Sequence, residues 1–439
     1  MQMSTSEIAT ATAGRLVGPD VVVDGVSFDS RAVGQNQLFV PIEADRDGHA
    51  FIDSARARGA AAYLTRLAPR GGSAVVVDDT LKGLMDLARW QRARFDGTVI
   101  GVTGSVGKTS TKDLAWAALA AGGHRTWANE RSFNNDQGLP TTILNAPIET
   151  EVMVLEMGMR GFGEIQRLCG IAQPQIGIVT SVGEAHGDRV GGVDGVAVAK
   201  AELVRALPPT GVAILNGDDH RVRAMSDLGG ATVVLYGSGD ICDVRIVDLQ
   251  LDHLARPSFR LTTPWGDVDV RLAISGSHMA SNAAAALTCV GVTGGDLQAA
   301  ADSLATVHLT SMRMEVSVTA SGATIINDAY NANPTSMRAA IDALAAMPAT
   351  RRIAVLGMMA EISDSANEHE RIVRYAADRG VTVFAVDTDL YGMPGCQDAV
   401  QAVGLVASGD AVLVKASRSV GLERVAFELI ASSGGLLVQ

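Results

Sequence analysis

Apolar runs and polar segments alternate along the chain, and the alternation changes character near residue 98. Before that point, the short segments VVVDGVSF and QLFVPI predict strands. The segment FIDSARARGAAAYLTRL predicts an amphipathic helix flanked by strand and turn residues. From TVIGVT onward, the longer apolar runs EVMVLEMG, QIGIVTSV, GVAILNG and ATVVLYG are separated by helical stretches. Because strands buried on both faces read as continuous apolar runs, this second pattern predicts a parallel sheet covered by helices.

Two further patterns complete the predicted architecture. Residues 242–274 alternate apolar and polar positions around a Pro-Trp-Gly turn, which predicts an antiparallel patch attached to the central sheet. After Met314, the strands ATIIND, RRIAVLG, VTVFAVD and AVLVKA alternate with helical segments, which predicts a second unit of nucleotide-fold type. We therefore predict an α/β protein of three domains: a small α/β domain at 1–97, a central domain with a mostly parallel sheet at 98–315, and a Rossmann-like domain at 316–439.

Composition and charge narrow the class of protein. The chain has 439 residues, 47% hydrophobic and 19% charged, which is typical of a folded globular protein. A net charge of −12 argues against a broad surface for nucleic acid or anionic lipid. The sequence has neither a signal-like start nor the ~20 consecutive apolar residues of a membrane helix. Its four widely spaced cysteines favour a reducing compartment. We expect a cytoplasmic monomer that neither binds nucleic acid nor inserts into a membrane.

The strongest local signal is the glycine-rich loop GVTGSVGKT at 101–109, between an apolar strand and the helical stretch TKDLAWAALAA. Glycines let backbone N–H groups face phosphate oxygens, Lys108 supplies positive charge and Thr109 offers a hydroxyl to Mg²⁺. Val102 stands where the common P-loop has its first glycine, and a glycine-rich turn with an incidental lysine is the alternative. We predict a P-loop-type ATPase domain whose nucleotide-binding residues are Gly104, Ser105, Val106, Gly107, Lys108, Thr109 and Ser110.

The ending TGxxGKT resembles the loop of the Mur ligases and the related folylpolyglutamate synthetases. Further segments resemble the Mur ligases in order: SFNNDQGLPTTILN at 132, VLEMGMRGFGEI at 154, TSVGEAH ending at His186, AVAKAEL around Lys200, LNGDD at 215, SGSHMASNAAAA at 275, SMRME at 311 and INDAYNANPTSMRAAIDAL at 326. This resemblance covers essentially the whole chain. It implies an ATP-dependent amide ligase of peptidoglycan precursor synthesis that joins UDP-N-acetylmuramoyl-tripeptide to D-alanyl-D-alanine through an acyl phosphate.

Three residues outside the loop are candidates for binding metal. Glu156 ends an apolar strand, where side chains reach the ligand crevice of a parallel sheet, and oxygen ligands beside phosphate favour Mg²⁺ or Mn²⁺. Taken alone, Glu156 is also compatible with a helix cap or a surface position. His186 is compatible with a structural hydrogen-bonding role, and Lys200 with an ordinary solvated position. The resemblance implies that His186 contacts a second Mg²⁺ and that Lys200 reacts with CO₂ to give a carbamate ligand, which requires a neutral amine. The predicted metal ligands are Thr109, Glu156, His186 and Lys200, and the predicted catalytic residues are Lys108, His186 and Lys200.

The resemblance also implies contacts to nucleotide and amine. Asn282 would contact adenine, and Arg313 and Asp328 would reach phosphate and ribose, partners that suit amide, guanidinium and carboxylate groups. Without the family, Asn282 fits a packing or capping role, and the polar loop 328–334 fits a simple turn with an N-cap. The other substrate-binding candidates in these two domains are Asn134, Asn135, Tyr330, Asn331, Asn333, Ser417 and Arg418.

The third domain departs from the family pattern at VLGMMAEISD. Met358 occupies a position that is usually acidic, and Ile362 and Ser363 replace a Leu-Gly pair, so the choice of acceptor amine is less firmly implied. Glu361 and His369 keep their places, although a surface or helix-pairing role suits each as well as catalysis.

The first domain carries the predicted UDP-sugar site. Its candidates lie in the tripeptides DSR and DGH, and they are Ser30, Arg31, Asp47, Gly48 and His49. Arginine suits phosphate and glycine permits close approach of the backbone, but each tripeptide alone is typical of a surface loop. Two other functions remain open at this stage: an ATP-dependent ligase with different substrates, and a nucleotide switch or kinase that forms no amide.

Overall fold

The structure is a computed structural model that describes residues 2–184, 187–360, 362 and 364–436. These residues form three α/β units in chain order, so the predicted fold class and three-domain arrangement are confirmed. The predicted residues His186, Glu361 and Ser363 lie outside the described part of the chain.

The described residues of the first unit form a five-stranded sheet and a two-stranded ribbon. The strands are β1 (Gln2–Ser4), β2 (Arg15–Val17), β3 (Val22–Asp24), β4 (Val26–Ser27), β5 (Leu38–Phe39), β6 (Ala62–Thr65) and β7 (Ser73–Val76). The helices are α1 (Thr5–Ala11), α2 (Ile52–Ala57) and α3 (Thr80–Arg92). The sheet order is β2-β7-β6-β5-β4, with β2 antiparallel to β7, while β1 pairs with β3. Asp79 begins α3 because its Oδ1 accepts from Leu81 N at 2.8 Å, which pairs an N–H that the helix leaves free.

The central unit is built on one sheet of nine strands among the described residues, in the order β16-β15-β14-β13-β12-β11-β8-β10-β9. The strands are β8 (Thr98–Thr103), β9 (Thr126–Ala128), β10 (Val152–Glu156), β11 (Ile176–Val179), β12 (Val212–Asn216), β13 (Thr232–Gly237), β14 (Val244–Leu251), β15 (Pro257–Thr262) and β16 (Val268–Arg271). The helices are α4 (Lys108–Ala121), α5 (Gly138–Leu144), α6 (Glu164–Ala172), α7 (Gly187–Val190), α8 (Val193–Ala206), α9 (His220–Arg223), α10 (His278–Thr293) and α11 (Leu297–Ser303). The predicted antiparallel patch extends this sheet, because β14 runs parallel to β13 and pairs on its other side with antiparallel β15.

The described part of the third unit forms a five-stranded sheet in the order β17-β18-β21-β19-β20. The strands are β17 (Glu315–Val318), β18 (Thr324–Asn327), β19 (Arg351–Leu356), β20 (Thr382–Ala385) and β21 (Asp410–Lys415). The helices are α12 (Pro334–Ala346), α13 (Ser365–Ala377), α14 (Ala399–Val403) and α15 (Glu423–Ser432). Strand β17 is antiparallel to β18, and the other pairings are parallel.

Apolar packing joins the units to one another. One buried cluster runs from β1 and α3 of the first unit to α8 of the central unit, and another runs from α4 and α10 to α12 of the third unit. The Asn145 side chain adds a polar link, because its Oδ1 accepts from Val26 N at 2.8 Å and its Nδ2 donates to Val26 O at 2.9 Å. None of the helices in the described ranges has the length and apolar character needed to cross a bilayer.

Candidate active site

A cavity of about 450 Å³ opens where β8 and β10 end, at the carboxyl edge of the central sheet. Residues from all three units line it, with the first unit contributing Leu81. The sequence-predicted residues that line it are Ser105, Val106, Gly107, Lys108, Thr109, Ser110, Asn134, Asn135, Glu156, Lys200, Asn282, Arg313, Asp328, Tyr330, Asn331 and Asn333. The structure therefore brings together groups from widely separated parts of the chain, in the crevice where open α/β sheets bind ligands.

The glycine-rich loop forms one wall of the cavity. Gly107 has φ +87°, in the left-handed region, and a Cβ on it would lie 2.6 Å from Asn282 Oδ1, so both backbone and space favour glycine. Helix α4 begins at the next residue, Lys108, whose Nζ donates to Gly104 O at 2.6 Å. Burial lowers the pKa of Lys108, the negative charge of Glu156 opposes that shift, and Arg313 adds to it. A half-buried cation at a helix N-terminus is a suitable partner for phosphate.

Glu156 lies beside this loop at the end of β10, where it is 1% exposed and contacts other polar side chains. Thr109 Oγ1 donates to Glu156 Oε2 at 2.7 Å, and Asn134 Nδ2 donates to Glu156 Oε1 at 2.6 Å. Within the described ranges the carboxylate has these neutral donors but no ion pair, so its charge remains available to a cation. A carboxylate and a hydroxyl next to a phosphate cradle are the donors that Mg²⁺ prefers, so the residues present fit that ion.

Lys200, on α8, is 2% exposed and lines the same cavity. Among the described residues, its side chain has no hydrogen bond or ion pair. Burial lowers the pKa of Lys200 well below its usual value, and the charge of Lys108 adds to the shift. A lysine with a lowered pKa carries a larger fraction of neutral, nucleophilic amine at neutral pH.

The segment that joins the central and third units places Arg313 across the cavity. Arg313 Nη2 donates to Thr109 Oγ1 at 2.8 Å, and its guanidinium lies over the Tyr330 ring at 4.3 Å from the centroid. The residues on either side, Met312 (φ +62°) and Met314 (φ +48°), both have left-handed backbone, which is uncommon for side chains of this kind. Such conformations are held only where the surrounding contacts require them, and here they direct Arg313 toward the phosphate cradle.

The third unit contributes a buried ion pair that sequence reasoning did not predict. Lys415, 2% exposed at the end of β21, donates through Nζ to Asp328 Oδ2 at 2.5 Å and to Asn331 O at 2.8 Å. The signal that could have found it is a lysine at the end of the apolar strand AVLVKA, where a buried charge needs a partner. The pair orders the loop that follows β18 at the cavity wall.

Two predicted contact residues serve as helix caps in this structure. Asn135 Oδ1 accepts from Gly138 N at 2.9 Å, at the start of α5. Asn333 Oδ1 accepts from Ser336 N at 2.9 Å, at the start of α12, where Pro334 takes the first helical position. Both residues line the cavity, so the same side chains begin helices and face the space where substrate would lie.

The remaining predicted residues that the structure describes do not line this cavity; they are Ser30, Arg31, Asp47, Gly48, His49, Gly104, Ser417 and Arg418. Arg31 Nη2 and Nε pair with the Asp29 carboxylate at 2.8 and 3.0 Å. Ser417 Oγ accepts from Ala360 N at 2.8 Å, and the exposed Arg418 pairs with Glu423. The side chains of Arg31, Ser417 and Arg418 thus each bond to another residue of their own unit.

His49 is 1% exposed in the first unit, and both of its ring nitrogens have partners. Asp47 Oδ1 contacts His49 Nδ1 at 2.7 Å and accepts from His49 N at 2.9 Å, while Arg66 N donates to His49 Nε2 at 3.2 Å. Glu43, Asp47 and His49 place ligand atoms within 4.8 Å of one another, but Arg66 already pairs with Glu43. A Cβ on Gly48 would lie 2.6 Å from Ile42 N, so this turn requires glycine. The DGH tripeptide is a tightly hydrogen-bonded turn.

Comparisons with known proteins cover most of the chain. Residues 102–290 match the family model of the Mur ligase middle domain, and residues 312–418 match the model described as Mur ligase, glutamate ligase domain. The UDP-N-acetylmuramoyl-tripeptide–D-alanyl-D-alanine ligase of Mycobacterium bovis is 38% identical, with 93% of this chain and 92% of that protein covered. The crystal structure of MurF from Acinetobacter baumannii has a TM-score of 0.89 at 27% identity, covering 98% of this chain and 99% of that one. MurF ligase from Thermotoga maritima in complex with ADP has a TM-score of 0.82 at 26% identity, covering 93% and 98%.

Proposed function

This chain belongs to the Mur ligase family, and on that premise we propose that it joins UDP-N-acetylmuramoyl-tripeptide to D-alanyl-D-alanine, converting ATP to ADP and phosphate. The observation that carries the proposal is the cavity, which gathers the phosphate cradle, the oxygen ligands around Glu156, the buried Lys200 and the linker residue Arg313. A nucleotide switch needs the cradle alone. A ligase must also hold a second substrate beside the γ-phosphate, and the cavity extends beyond the cradle to Arg160 and Leu168.

The proposed chemistry has two steps. The terminal carboxylate of the tripeptide attacks the γ-phosphorus of ATP, which forms an acyl phosphate and releases ADP. The amine of the dipeptide then attacks the acyl carbon, an amide forms and inorganic phosphate leaves. Lys108 and Arg313 offset the charge on the transferred phosphoryl group, and closure of the third unit over the cavity excludes water that would hydrolyse the intermediate.

The residues that would hold a divalent ion are Thr109 and Glu156, with His186 assigned to a second ion by its resemblance to the family. When bound, Mg²⁺ or Mn²⁺ supplies positive charge to the phosphate oxygens. The Lys200 ammonium first loses a proton to water, and the neutral amine then reacts with CO₂. The new N–C bond gives a carbamate as a second proton passes to water, so that a cation becomes an anion that would bind metal. The lowered pKa of Lys200 supports this assignment.

We assign one role to each domain. Residues 1–97 bind the UDP-sugar through Ser30, Arg31 and the DGH turn, 98–315 bind ATP, and 316–439 receive the dipeptide, with Ser417 and Arg418 among its contacts. Asn282 would contact adenine, and Asp328 the ribose. We propose that the enzyme acts as a monomer in the cytoplasm.

The direct test combines purified protein with ATP, Mg²⁺, a UDP-muramoyl tripeptide and D-alanyl-D-alanine, and measures phosphate release and product mass. Oxygen-18 in the terminal carboxylate should appear in the released phosphate, because that oxygen attacks phosphorus. Phosphate release should require both substrates. A product without transfer of the label would contradict the acyl phosphate route, and the absence of any amide product would contradict the ligase assignment.

A second candidate function is ligation of a different amine on the same scaffold. The relatives, which are named as D-alanyl-D-alanine ligases, do not favour it; it rests on Met358, which replaces the acidic residue usual in the family and is 38% exposed just after β19. Comparing D-alanyl-D-alanine with D-alanyl-D-serine, L-alanyl-L-alanine and single amino acids as acceptors distinguishes the two. A preference for an acceptor other than D-alanyl-D-alanine would support the second candidate.

A further inference from the structure

Asp113 and Lys112 lie on α4 behind the glycine-rich loop, and the proposed reaction uses neither charge. Residues four apart on a helix share a face, so Asp113 lies one turn after Thr109 and Lys112 one turn after Lys108. The side chains of Lys112 and Asp113 are 3% and 13% exposed, and Lys112 Nζ lies 2.7 Å from Asp113 Oδ1. Taking two charges out of water is costly, and here further hydrogen bonds on both sides of the pair offset that cost.

Lys112 anchors the Asp113 carboxylate. Its Nζ also donates to Asn129 O at 2.7 Å and to Arg131 O at 3.1 Å, so two backbone carbonyls hold the ammonium together with the carboxylate. Asn129 is 2% exposed, and its Oδ1 accepts from Glu156 N at 2.6 Å. The ion pair is therefore attached to the end of β10 as well as to α4, and the Asp113 carboxylate has a fixed place.

The second oxygen of Asp113 binds the linker that carries Arg313. Asp113 Oδ2 accepts from Thr310 N and from Thr310 Oγ1, both at 2.8 Å. Three residues later, Arg313 Nη2 donates to Thr109 Oγ1 at 2.8 Å. Between them, Met312 has left-handed backbone (φ +62°), a conformation that is held only where surrounding contacts require it. The contacts thus close a ring, in which one turn of α4 binds the linker at both Thr109 and Asp113.

We propose that Asp113 is a positioning residue for Arg313. It lies behind the cavity wall rather than in it, and it acts through Thr310. Without its carboxylate the linker loses two of the bonds that fix its path, and the Arg313 guanidinium shifts relative to the phosphate cradle. Displacement of a group in the site by about 1 Å can lower a rate about 100-fold, so Asp113 controls the chemical step without touching substrate. The inference rests on the proposed ligase reaction, in which Arg313 offsets charge on the transferred phosphoryl group.

A double-mutant cycle tests whether Asp113 acts through Arg313. D113A should lower kcat about 10- to 100-fold and leave KM for the UDP-tripeptide within about twofold of wild type. R313A should lower kcat further, and the double variant should be no slower than R313A, because the group that Asp113 positions is already absent. The dissociation constant of a non-hydrolysable ATP analogue, measured by calorimetry, should follow the same pattern. Effects of D113A and R313A that multiply would overturn the proposal.

Thr310 provides a matched pair of variants that leave the buried ions in place. T310A removes the hydroxyl that bonds Asp113 and should lower kcat about three- to tenfold, the loss of one hydrogen bond. T310S keeps the hydroxyl and should match wild type. Equal rates for the two variants would contradict the proposed contact, even if D113A failed to fold.

Asp410 is the control for loss of a buried carboxylate. It is 4% exposed, pairs with Arg351 at 2.5 Å and accepts from Ala407 N at 2.8 Å, so it has the same kinds of partner as Asp113 but lies outside the cavity. D410A should lower the unfolding temperature, as D113A does, and leave kcat unchanged. An equal loss of kcat in the two variants would assign the effect to stability and overturn the proposal. If the wild-type chain forms no amide, the proposed function fails, whereas the cycle on binding of the ATP analogue still tests Asp113.

Discussion

The cavity and the predicted UDP-sugar segments of the first unit are held together in opposite ways. In the cavity, hydrogen bonds join residues that are distant in sequence: Thr109 meets Glu156, and Arg313 meets Thr109. In the first unit, Arg31 bonds Asp29 within the DSR tripeptide, and His49 bonds Asp47 within the DGH tripeptide. The cavity, which we propose binds phosphate and metal, is therefore assembled by tertiary packing. The first unit keeps its groups in local pairs that must exchange partners to bind a ligand.

The energetic consequences of the two arrangements differ. Glu156 is buried, so removing one of its donors leaves a polar group without a partner, which costs about 1–3 kcal/mol. The side chain of Arg31 is 85% exposed, and an exposed ion pair adds little to stability, so water or phosphate can replace Asp29 at little cost. Substitutions in the cavity should therefore change the rate of the chemical step, whereas those in the first unit should change substrate affinity.

The largest effect is expected at Lys108. K108A removes the half-buried cation of the proposed phosphate cradle, and kcat should fall about 10³-fold, as when a preorganised electrostatic group is lost from an active site. Phosphate release measured at saturating substrates tests this. K82A, at an exposed lysine of α3 that pairs with Asp86, should leave kcat unchanged. A K108A enzyme within tenfold of wild type would show that the cradle does not bind the transferred phosphate.

Lys200 should give the next largest effect. K200A removes the proposed carbamate, and kcat should fall about 100-fold, the scale on which metal sites respond to loss of a supporting group. Acetate or propionate should restore part of the rate by taking the place of the missing carboxylate. The wild-type rate should also fall in CO₂-free buffer and recover with bicarbonate. K82A serves again as the control. Full activity of K200A, or a rate indifferent to CO₂, would remove Lys200 from the mechanism.

Much of the fold could be predicted from sequence because its signals are local. Apolar runs such as VMVLE mark buried strands, and the helix that begins at Lys108 follows directly from the glycine-rich loop. The antiparallel extension formed by β14, β15 and β16 could be predicted from the alternation of apolar and polar residues along these segments. These patterns depend on neighbours a few positions away, so one sequence is enough to read them.

Side-chain partners could not be predicted in the same way, because they depend on tertiary packing. Lys415 and Asp328 are 87 residues apart, and the sequence around either residue does not indicate the other as its partner. The left-handed backbone that directs Arg313 toward Thr109 occurs at two methionines, a residue type that carries no such signal.

A smaller effect, and one confined to a single substrate, is expected at Arg31. R31A should raise KM for the UDP-tripeptide about tenfold, the loss of one charge-assisted contact to phosphate, with KM for ATP unchanged. Steady-state kinetics with each substrate varied in turn separates the two constants. R15A, at an exposed arginine of β2, is the control. A change in KM for ATP, or none for the UDP-tripeptide, would break the contrast drawn between the two regions.

The smallest functional effect should come from His49, although it is the most buried of the first-unit candidates. Its Nδ1 faces Asp47 and its Nε2 accepts from Arg66 N, so H49A removes a buried ring together with both contacts and should lower the free energy of unfolding by about 1–3 kcal/mol. Urea denaturation measures that loss, with H253A at an exposed histidine as the control. Below the unfolding transition, kcat and KM for ATP should match wild type. If H49A instead folded as stably as wild type and lost affinity for the UDP-tripeptide, His49 would be a ligand contact rather than the support of its turn.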